Sequence, residues 1–317
     1  MKLTDIFWPF RSDMNYIERE LDRAIDTKEP VLHKAASHLL KAGGKRIRPV
    51  FVLLGGKFGN YDIERLKYVA VPLELIHAAS LVHDDVIDDA ELRRGKITVK
   101  SKWDNRIAMY TGDYIFARAL TLVTELPNPQ IHKILSNTIV EVCLGEIEQI
   151  RDLNNWDQNL RRYLRRIKRK TALLMAISCQ LGAIATDASK DVVRRLYAYG
   201  YNAGMAFQIT DDILDFTGDE KKLGKPAGSD LKQGNITLPA LYAYHKSQNA
   251  AAFRVLAEEN RTDEMIRFIR EGECINEAQK LADRYLMRAA AALDGLPDNR
   301  NKETLLKIAH FFGERQS

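Results

Sequence analysis

Residues 69–89 read VAVPLELIHAASLVHDDVIDD, and residues 203–215 read AGMAFQITDDILD. Each is an apolar, helix-patterned run that ends in Asp-Asp-x-x-Asp, first at Asp84, Asp85 and Asp88, then at Asp211, Asp212 and Asp215. On a helix, residues four apart share a face, so Asp84 stands with Asp88 and Asp211 with Asp215. Like charges at that spacing cost each helix about 0.2–0.5 kcal/mol. Carboxylates near a helix C-terminus also oppose its dipole. A pattern that weakens its helix twice in one chain calls for a compensating positive charge. Mg²⁺ is such a charge, held by a few carboxylates, waters and substrate phosphates. One cluster alone reads equally well as a solvated acidic face. Two copies, each closing an apolar helix, point to a metal site.

Outward from these runs, the chain reads as helix after helix. Apolar residues recur at helical spacing, as in Val192, Leu196, Tyr199 and Ala203, and in Ile139, Val142, Cys143 and Ile147. Strand-like alternation is nearly absent. Breaks fall between the helices. Pro30 opens one, Gly43-Gly44 and Pro49 mark a turn and a restart, and Leu126-Pro127-Asn128-Pro129 separates two long helices. Residues 218–234 form the longest loop candidate, and Leu296-Pro297-Asp298-Asn299 breaks the last helical pair. Neither a fixed repeat nor a low-complexity linker interrupts the pattern. The expected fold is all-α, one domain over residues 1–317. A boundary near Leu126–Pro129 has no composition shift behind it.

Bulk properties fit that reading. The 317 residues are 45% hydrophobic, ample for a core. A charged fraction of 29% and a mean hydropathy of −0.31 read as soluble and globular. The longest apolar stretch, Thr171–Ala185, is broken by Ser178, Cys179 and Gln180 and flanked by basic residues, so a buried core helix is expected rather than a membrane span. Ile6–Phe10 has no long apolar run and no cleavage site, so it reads as a packed N-terminal segment and not a secretory signal. Cys143, Cys179 and Cys274 match neither a zinc pattern nor a disulfide framework and read as buried thiols of a cytosolic protein. Net charge is +5. The basic runs at Lys45–Arg48, Arg93–Arg94 and Arg161–Lys170 read as solvated helix faces. With no nucleic-acid motif and no interleaved aromatics, a nucleic-acid partner is not expected.

Metal-binding carboxylates imply anionic oxygen substrates, and cations stand close to them in sequence. Arg93 and Arg94, followed by Gly95, come within six residues of Asp88. Their guanidinium forks match phosphate bidentately. Gly43-Gly44-Lys45-Arg46-Ile47-Arg48-Pro49 opens a helix, where glycines admit close approach and the N-terminus attracts phosphate. Its spacing is not that of a P-loop. Lys170-Thr171 and Lys225 are weaker single signals.

These motifs, in this order, resemble the trans-isoprenyl diphosphate synthase family from about Gly43 to Pro239. The matching stretches are Gly-Gly-Lys-Arg-x-Arg-Pro, Asp-Asp-x-x-Asp with Arg-Arg-Gly, Lys-Thr, Gln-x-x-Asp-Asp-x-x-Asp, and Gly-Lys-Pro-x-Gly-x-Asp-Leu. The resemblance implies a bundle of long helices around a central cavity, the isoprenoid synthase type, usually dimeric. It implies Mg²⁺, three ions with substrate bound, on Asp84, Asp88 and Asp211. Asp85, Asp212 and Asp215 look like supporting acids. Arg93, Lys170, Thr171, Gln208 and Lys225 look like the allylic diphosphate site, and Lys45, Arg48, His77 and Arg94 like the isopentenyl diphosphate site. The implied reaction is ionisation of the allylic C–O bond, attack by the isopentenyl double bond, and loss of a proton to the released diphosphate.

The stretch 224–235, GKPAGSDLKQGN, looks most like the catalytic component of bacterial two-component hexaprenyl or heptaprenyl diphosphate synthases. That likeness implies a small second protein, a heterodimer with it or otherwise a homodimer, and a product of 30–35 carbons for menaquinone side chains. A product so apolar leaves contact with a membrane surface open at release. Ile76, Ala79 and Ser80, eight, five and four residues before Asp84, are the expected chain-length positions, and the small Ala79 and Ser80 suit a long product. Two features depart from the family pattern. Asn235 stands where a Lys is common, and the end of the chain offers only Arg315 in place of a basic tail. Other readings are a geranylgeranyl or other-length synthase, a class I terpene cyclase and a non-catalytic regulatory subunit. Two intact aspartate motifs with a second diphosphate pocket favour elongation.

Overall fold

The computed structural model describes residues 3–218 and 226–314. The predicted helices form where the punctuation places them. Leu3–Phe7 (α1) passes through a 3₁₀ turn at Trp8–Phe10 into Arg11–Ala24 (α2), and Pro30–Lys41 (α3), Ile47–Gly56 (α4) and Ile63–Ile87 (α5) follow. A hairpin of Leu92–Arg93 (β1) and Lys96–Ile97 (β2) leads to Val99–Lys102 (α6), Asn105–Val123 (α7) and Pro129–Arg151 (α8). Leu160–Ile167 (α9) runs through a π-helical turn at Lys168–Ala172 into Leu173–Ala185 (α10), and Lys190–Thr217 (α11) comes next. The remaining helices are Ser229–Lys232 (α12), Leu238–His245 (α13), Ala250–Glu258 (α14), Thr262–Glu271 (α15), Cys274–Ala292 (α16) and Arg300–Gly313 (α17). The fold is all-α, and the hairpin is the only sheet among the described residues.

Local chemistry explains the helix starts. Asp62, Asp104, Asn159 and Asn299 each accept a backbone N–H at the head of α5, α7, α9 and α17. Each such cap stabilises its helix by about 1 kcal/mol. Pro30 takes the first position of α3, where its missing N–H costs nothing. Leu126–Pro129 and residues 296–299 are the expected interruptions.

The chain falls into two compact units, Met1–Leu135 with Ile177–Tyr197, and Ser136–Ala176 with Ala198–Ser317. In the first, α5 is the central helix and keeps Pro72 within it, fully packed. Leu66, Val69, Leu73, Ile76 and Val82 on α5 are buried. His83 of α5 lies against Gly112 of α7, where a Cβ would stand 2.3 Å from the ring. A glycine is equally required at Gly55 and Gly182, which bring α4 and α10 into near backbone contact: added Cβ atoms would lie 2.2 and 2.1 Å from the carbonyl oxygens of Cys179 and Val52. In the second unit, Met205, Ile209 and Phe216 of α11 bury with Tyr163, Leu241, Phe253, Ile269 and Ala282 in one core.

Some expectations are corrected. Cys179 and Cys274 are buried, but Cys143 is exposed. It lies on α8 beside Val140, Leu144, Ile147 and Ile150, which also face outward. The helical period was right there, but α8 carries apolar residues on more than one face, and that row does not enter the core. The basic run 161–170 is not a solvated face. Arg166 is buried, and Arg162, Arg165 and Arg169 pair with Asp152, Glu148, and Glu141 with Glu148. The loop candidate at 218–234 holds the helical turn α12 in its described part. At the N-terminus Ile6 and Phe10 pack inward while Trp8 is exposed, with the Arg11 guanidinium 4.9 Å over its ring. Among the described residues, no helix is long and apolar enough to cross a membrane.

Candidate active site

The first aspartate cluster ends α5, with Asp88 as the C-cap residue and its N–H on the carbonyl of Asp84 at 2.8 Å. Its three carboxylates differ in setting. Asp84 is half-buried and Asp88 exposed, whereas Asp85 is 2% exposed and takes Arg93 Nε on Oδ1 at 2.6 Å. Burial raises the Asp85 carboxyl above its ordinary range, Arg93 pulls it back, and the charge of Asp88 raises it further.

Arg93 and Arg94 reach this place through the hairpin. Arg94 and Gly95 both have positive φ, 54° and 74°, the geometry of a type I′ turn, whose twist matches the paired strands. Arg94 folds back and donates from Nη1 to the carbonyl of Gly43. Around it lies a pocket with about 490 Å³ of empty space, including its open mouth. Its polar lining includes Arg46, Glu74, His77, Asp85, Arg93 and Arg94. Of the expected isopentenyl diphosphate residues, this pocket brings together His77 and Arg94. Lys45 is exposed and Arg48 is buried, and neither lines it.

The charge in this pocket is unbalanced. Arg46 caps α4 in a left-handed conformation and is committed to structure, donating to Glu18 at 2.7 Å, Glu74 at 3.0 Å and the Leu40 carbonyl at 3.0 Å. Arg48 Nε and Glu74 Oε2 are buried without hydrogen-bond partners. Burial lowers the Arg48 pKa, Glu74 opposes the shift, and Arg94 adds to it. Burial, followed by Arg48, Arg94, Arg93 and Arg46, holds His77 well below the usual imidazole range. A neutral His77 among guanidinium groups is a setting that an anion would relieve.

The second cluster ends α11. Asp211 is exposed, while Asp212 and Asp215 are 3% and 1% exposed. Asp212 receives the Tyr163 hydroxyl on Oδ2 at 2.6 Å and Gln208 Nε2 on Oδ1 at 2.8 Å. Burial, with Asp230 next in weight, pushes its carboxyl up to about 7. Asp215 Oδ2 accepts the Asp230 N–H at 3.1 Å, and the Gly228 N–H reaches the Asp215 carbonyl at 2.7 Å. Thr171, on the π-helical turn, donates from Oγ1 to Gln208 Oε1 at 2.6 Å. Lys170 on the same turn donates to Glu146 Oε2 at 3.1 Å and Gln149 Oε1 at 3.0 Å. Such π-turns inside a helix recur at functional sites. Asn235 is half-buried, its N–H on the Asp230 carbonyl at 2.8 Å. Lys225 and Arg315 lie outside the described residues.

Six carboxylates therefore divide evenly. Asp85, Asp212 and Asp215 are buried and hydrogen-bonded, and Asp84, Asp88 and Asp211 are within reach of solvent. Among the described residues, no three His, Cys, Asp or Glu side chains form a metal site by themselves. The outward carboxylates are hard oxygen donors. In each unit they fit an ion that completes its shell with water and substrate phosphate, as Mg²⁺ does. Residues missed in the sequence are Tyr163, Glu146, Gln149 and Glu74. Tyr163, Glu146 and Gln149 are each far along the chain from the group they bond, whereas Glu74 stands three residues before His77 on the same helix, the one spacing that could have signalled it.

Residues 29–271 match the family model described as Polyprenyl synthetase. The chain is 57% identical over 318 residues to heptaprenyl diphosphate synthase component 2 of Geobacillus stearothermophilus, covering 99% of each chain. It is 54% identical over 319 residues to the protein of that name from Bacillus subtilis (strain 168), covering 100% of this chain and 92% of the other. The solved structure of heptaprenyl diphosphate synthase from Staphylococcus aureus superposes with a TM-score of 0.93 at 42% identity, covering 97% of this chain and 99% of that one. With both aspartate motifs in place and the whole chain aligned, this protein belongs to the polyprenyl synthetase family and is an all-α prenyltransferase.

Proposed function

We propose that the chain, as a single catalytic domain over residues 1–317, is the catalytic component of a two-component heptaprenyl diphosphate synthase, with hexaprenyl diphosphate the alternative product. The observation that carries elongation over cyclisation is the basic pocket that brings Arg94 beside His77, with Asp85 of the first metal motif and its partner Arg93 in the wall. A cyclase needs no second diphosphate site, and a regulatory subunit is expected to lose one aspartate motif, whereas both stand intact in this chain. The names of the two bacterial relatives, each called component 2, support a partner protein and a heptaprenyl product. The exposed apolar row on α8 is surface that a subunit partner would cover.

On this reading Asp84, Asp88 and Asp211 hold Mg²⁺, which when bound neutralises the allylic diphosphate and assists its departure. Arg93, Lys170, Thr171, Gln208 and Lys225 hold that diphosphate. Of Lys45, Arg48, His77 and Arg94, the residues the motifs assign to isopentenyl diphosphate, His77 and Arg94 line the basic pocket and hold its diphosphate so that its double bond faces the ionising carbon. Positioned cations stabilise the charge that develops on the leaving group. The carbocation requires that water be kept from it, and the released diphosphate takes the proton.

The test is incorporation of labelled isopentenyl diphosphate into farnesyl diphosphate, with Mg²⁺ or with EDTA, by the pure chain and by the chain mixed with extract of the source cells. Chromatography of the dephosphorylated products reads their length. A ladder ending at 30–35 carbons only with Mg²⁺ and extract is the expected result. The same ladder without extract removes the partner, and no incorporation in any condition overturns elongation.

A further inference from the structure

Tyr163 lies on α9, seven residues before Lys170, and is fully buried. A buried phenol hydroxyl needs an acceptor, and this one has Asp212 Oδ2 at 2.6 Å. The ring is held in turn. The Arg166 guanidinium lies 5.7 Å over it, and Arg166 is fixed by Gln158 Oε1 at 2.9 Å and the Ile236 carbonyl at 2.7 Å. With the Gln208 and Thr171 bonds, the donors form one ordered chain in which Thr171 donates to Gln208, Gln208 donates to Asp212, and Tyr163 donates to Asp212 from the other side. Both oxygens of Asp212 are thereby occupied in the core, while Asp211, the next residue back, is exposed.

We propose that Tyr163 is a positioning residue for the second aspartate cluster. Its hydroxyl keeps the Asp212 carboxylate turned inward, so that Asp211 alone of the adjacent pair is offered to a metal–diphosphate complex. Through Asp212 it also fixes which way the Gln208 amide points. The physical need is plain. Two neighbouring carboxylates compete for one divalent ion, and the loser must be held by donors strong enough to keep it from the ion. Those donors here are neutral, a phenol and an amide. The inference rests on the function proposed above.

Tyr163→Phe removes only the hydroxyl and keeps the core volume. The experiment uses the full chain with its partner and follows three quantities: the thermal midpoint, Mg²⁺ binding in the presence of inorganic diphosphate by calorimetry, and steady-state kinetics. The expected result is a change of about tenfold in the Mg²⁺ half-saturation, the scale of one lost hydrogen bond to a charged group. A lower kcat and an unchanged KM for isopentenyl diphosphate accompany it. Replacing Tyr163 with 4-aminophenylalanine restores a donor and recovers the wild-type Mg²⁺ curve, and this variant serves should the Phe form fold poorly. A Tyr163→Phe enzyme with wild-type Mg²⁺ binding and kcat but a lower melting point would reduce Tyr163 to packing. So would an equal defect in both variants. Absence of incorporation by the wild type is a separate result and counts against the proposed function.

Discussion

A Cβ added to Gly44 would stand 2.6 Å from Nη1 of Arg94. The bare backbone at this glycine, and the carbonyl of Gly43 beside it, seat the guanidinium in the basic pocket. The sequence suggested that the glycines admit phosphate; in the folded chain they first admit an arginine.

The consequence for Gly44→Ala is a separation of stability from binding. No positive φ is required at Gly44, and the clashing atom is the far end of a flexible side chain. The variant should lose less than about 1 kcal/mol of stability, as surface substitutions do. Displacing Arg94 should raise the KM for isopentenyl diphosphate about three- to tenfold, the scale of one charge-assisted hydrogen bond. The KM for farnesyl diphosphate should stay unchanged. Parallel titrations of the two substrates check it, and an equal rise in both would mean that Arg94 does not select between them.

His77 gives a pH signature. Its pKa is held below the ordinary 6.5 by burial and by four arginines. The unfolded chain therefore takes up this proton near pH 6.5 while the folded chain still refuses it. The stability His77 contributes is complete above that pH and is lost as pH falls toward its folded pKa, at a rate of at most about 1.4 kcal/mol per pH unit. His77→Asn should show a shallower acid loss between pH 6.5 and 5 than the wild type. Thermal midpoints across that range decide the matter, and parallel curves would sink the assignment.

Ala79 and Ser80 are unequal tests of product length. Ala79 is 1% exposed and sits one turn before His83, which packs on α7 with the Met109 carbonyl at 3.4 Å. Ala79→Phe would overpack that seam at a cost of about 1–3 kcal/mol, so a shorter product there would be confounded with damage. Ser80 is half-buried, its hydroxyl merely donating to the His77 carbonyl at 2.9 Å. Ser80→Phe should shorten the product with a smaller change in melting point. Chromatography of dephosphorylated products reads the outcome, and an unchanged ladder would remove Ser80 as a gate.

The sequence by itself determined the all-α class, the breaks at Pro30, Leu126–Pro129 and residues 296–299, and the two carboxylate clusters at helix ends. All of these are local. Proline, glycine and the three-to-four-residue period act within a turn or two, so their signal survives in one dimension. The hairpin at Leu92–Ile97 escaped because two-residue strands show no alternation, and the Arg94-Gly95 turn was absorbed into a phosphate motif. Only the tertiary structure decided which carboxylates of the two clusters turn inward, Asp85 in the first and Asp212 and Asp215 in the second. Asp85 is held by Arg93, eight residues on, but Asp212 is held by Tyr163, forty-nine residues back. It also decided that Arg166 is buried while Cys143 and Ile147 are not. A hydrophobic period names a face, and a charge names a cost. What covers the face, and which partner offsets the cost, depends on helices distant in sequence that meet only when the chain has folded.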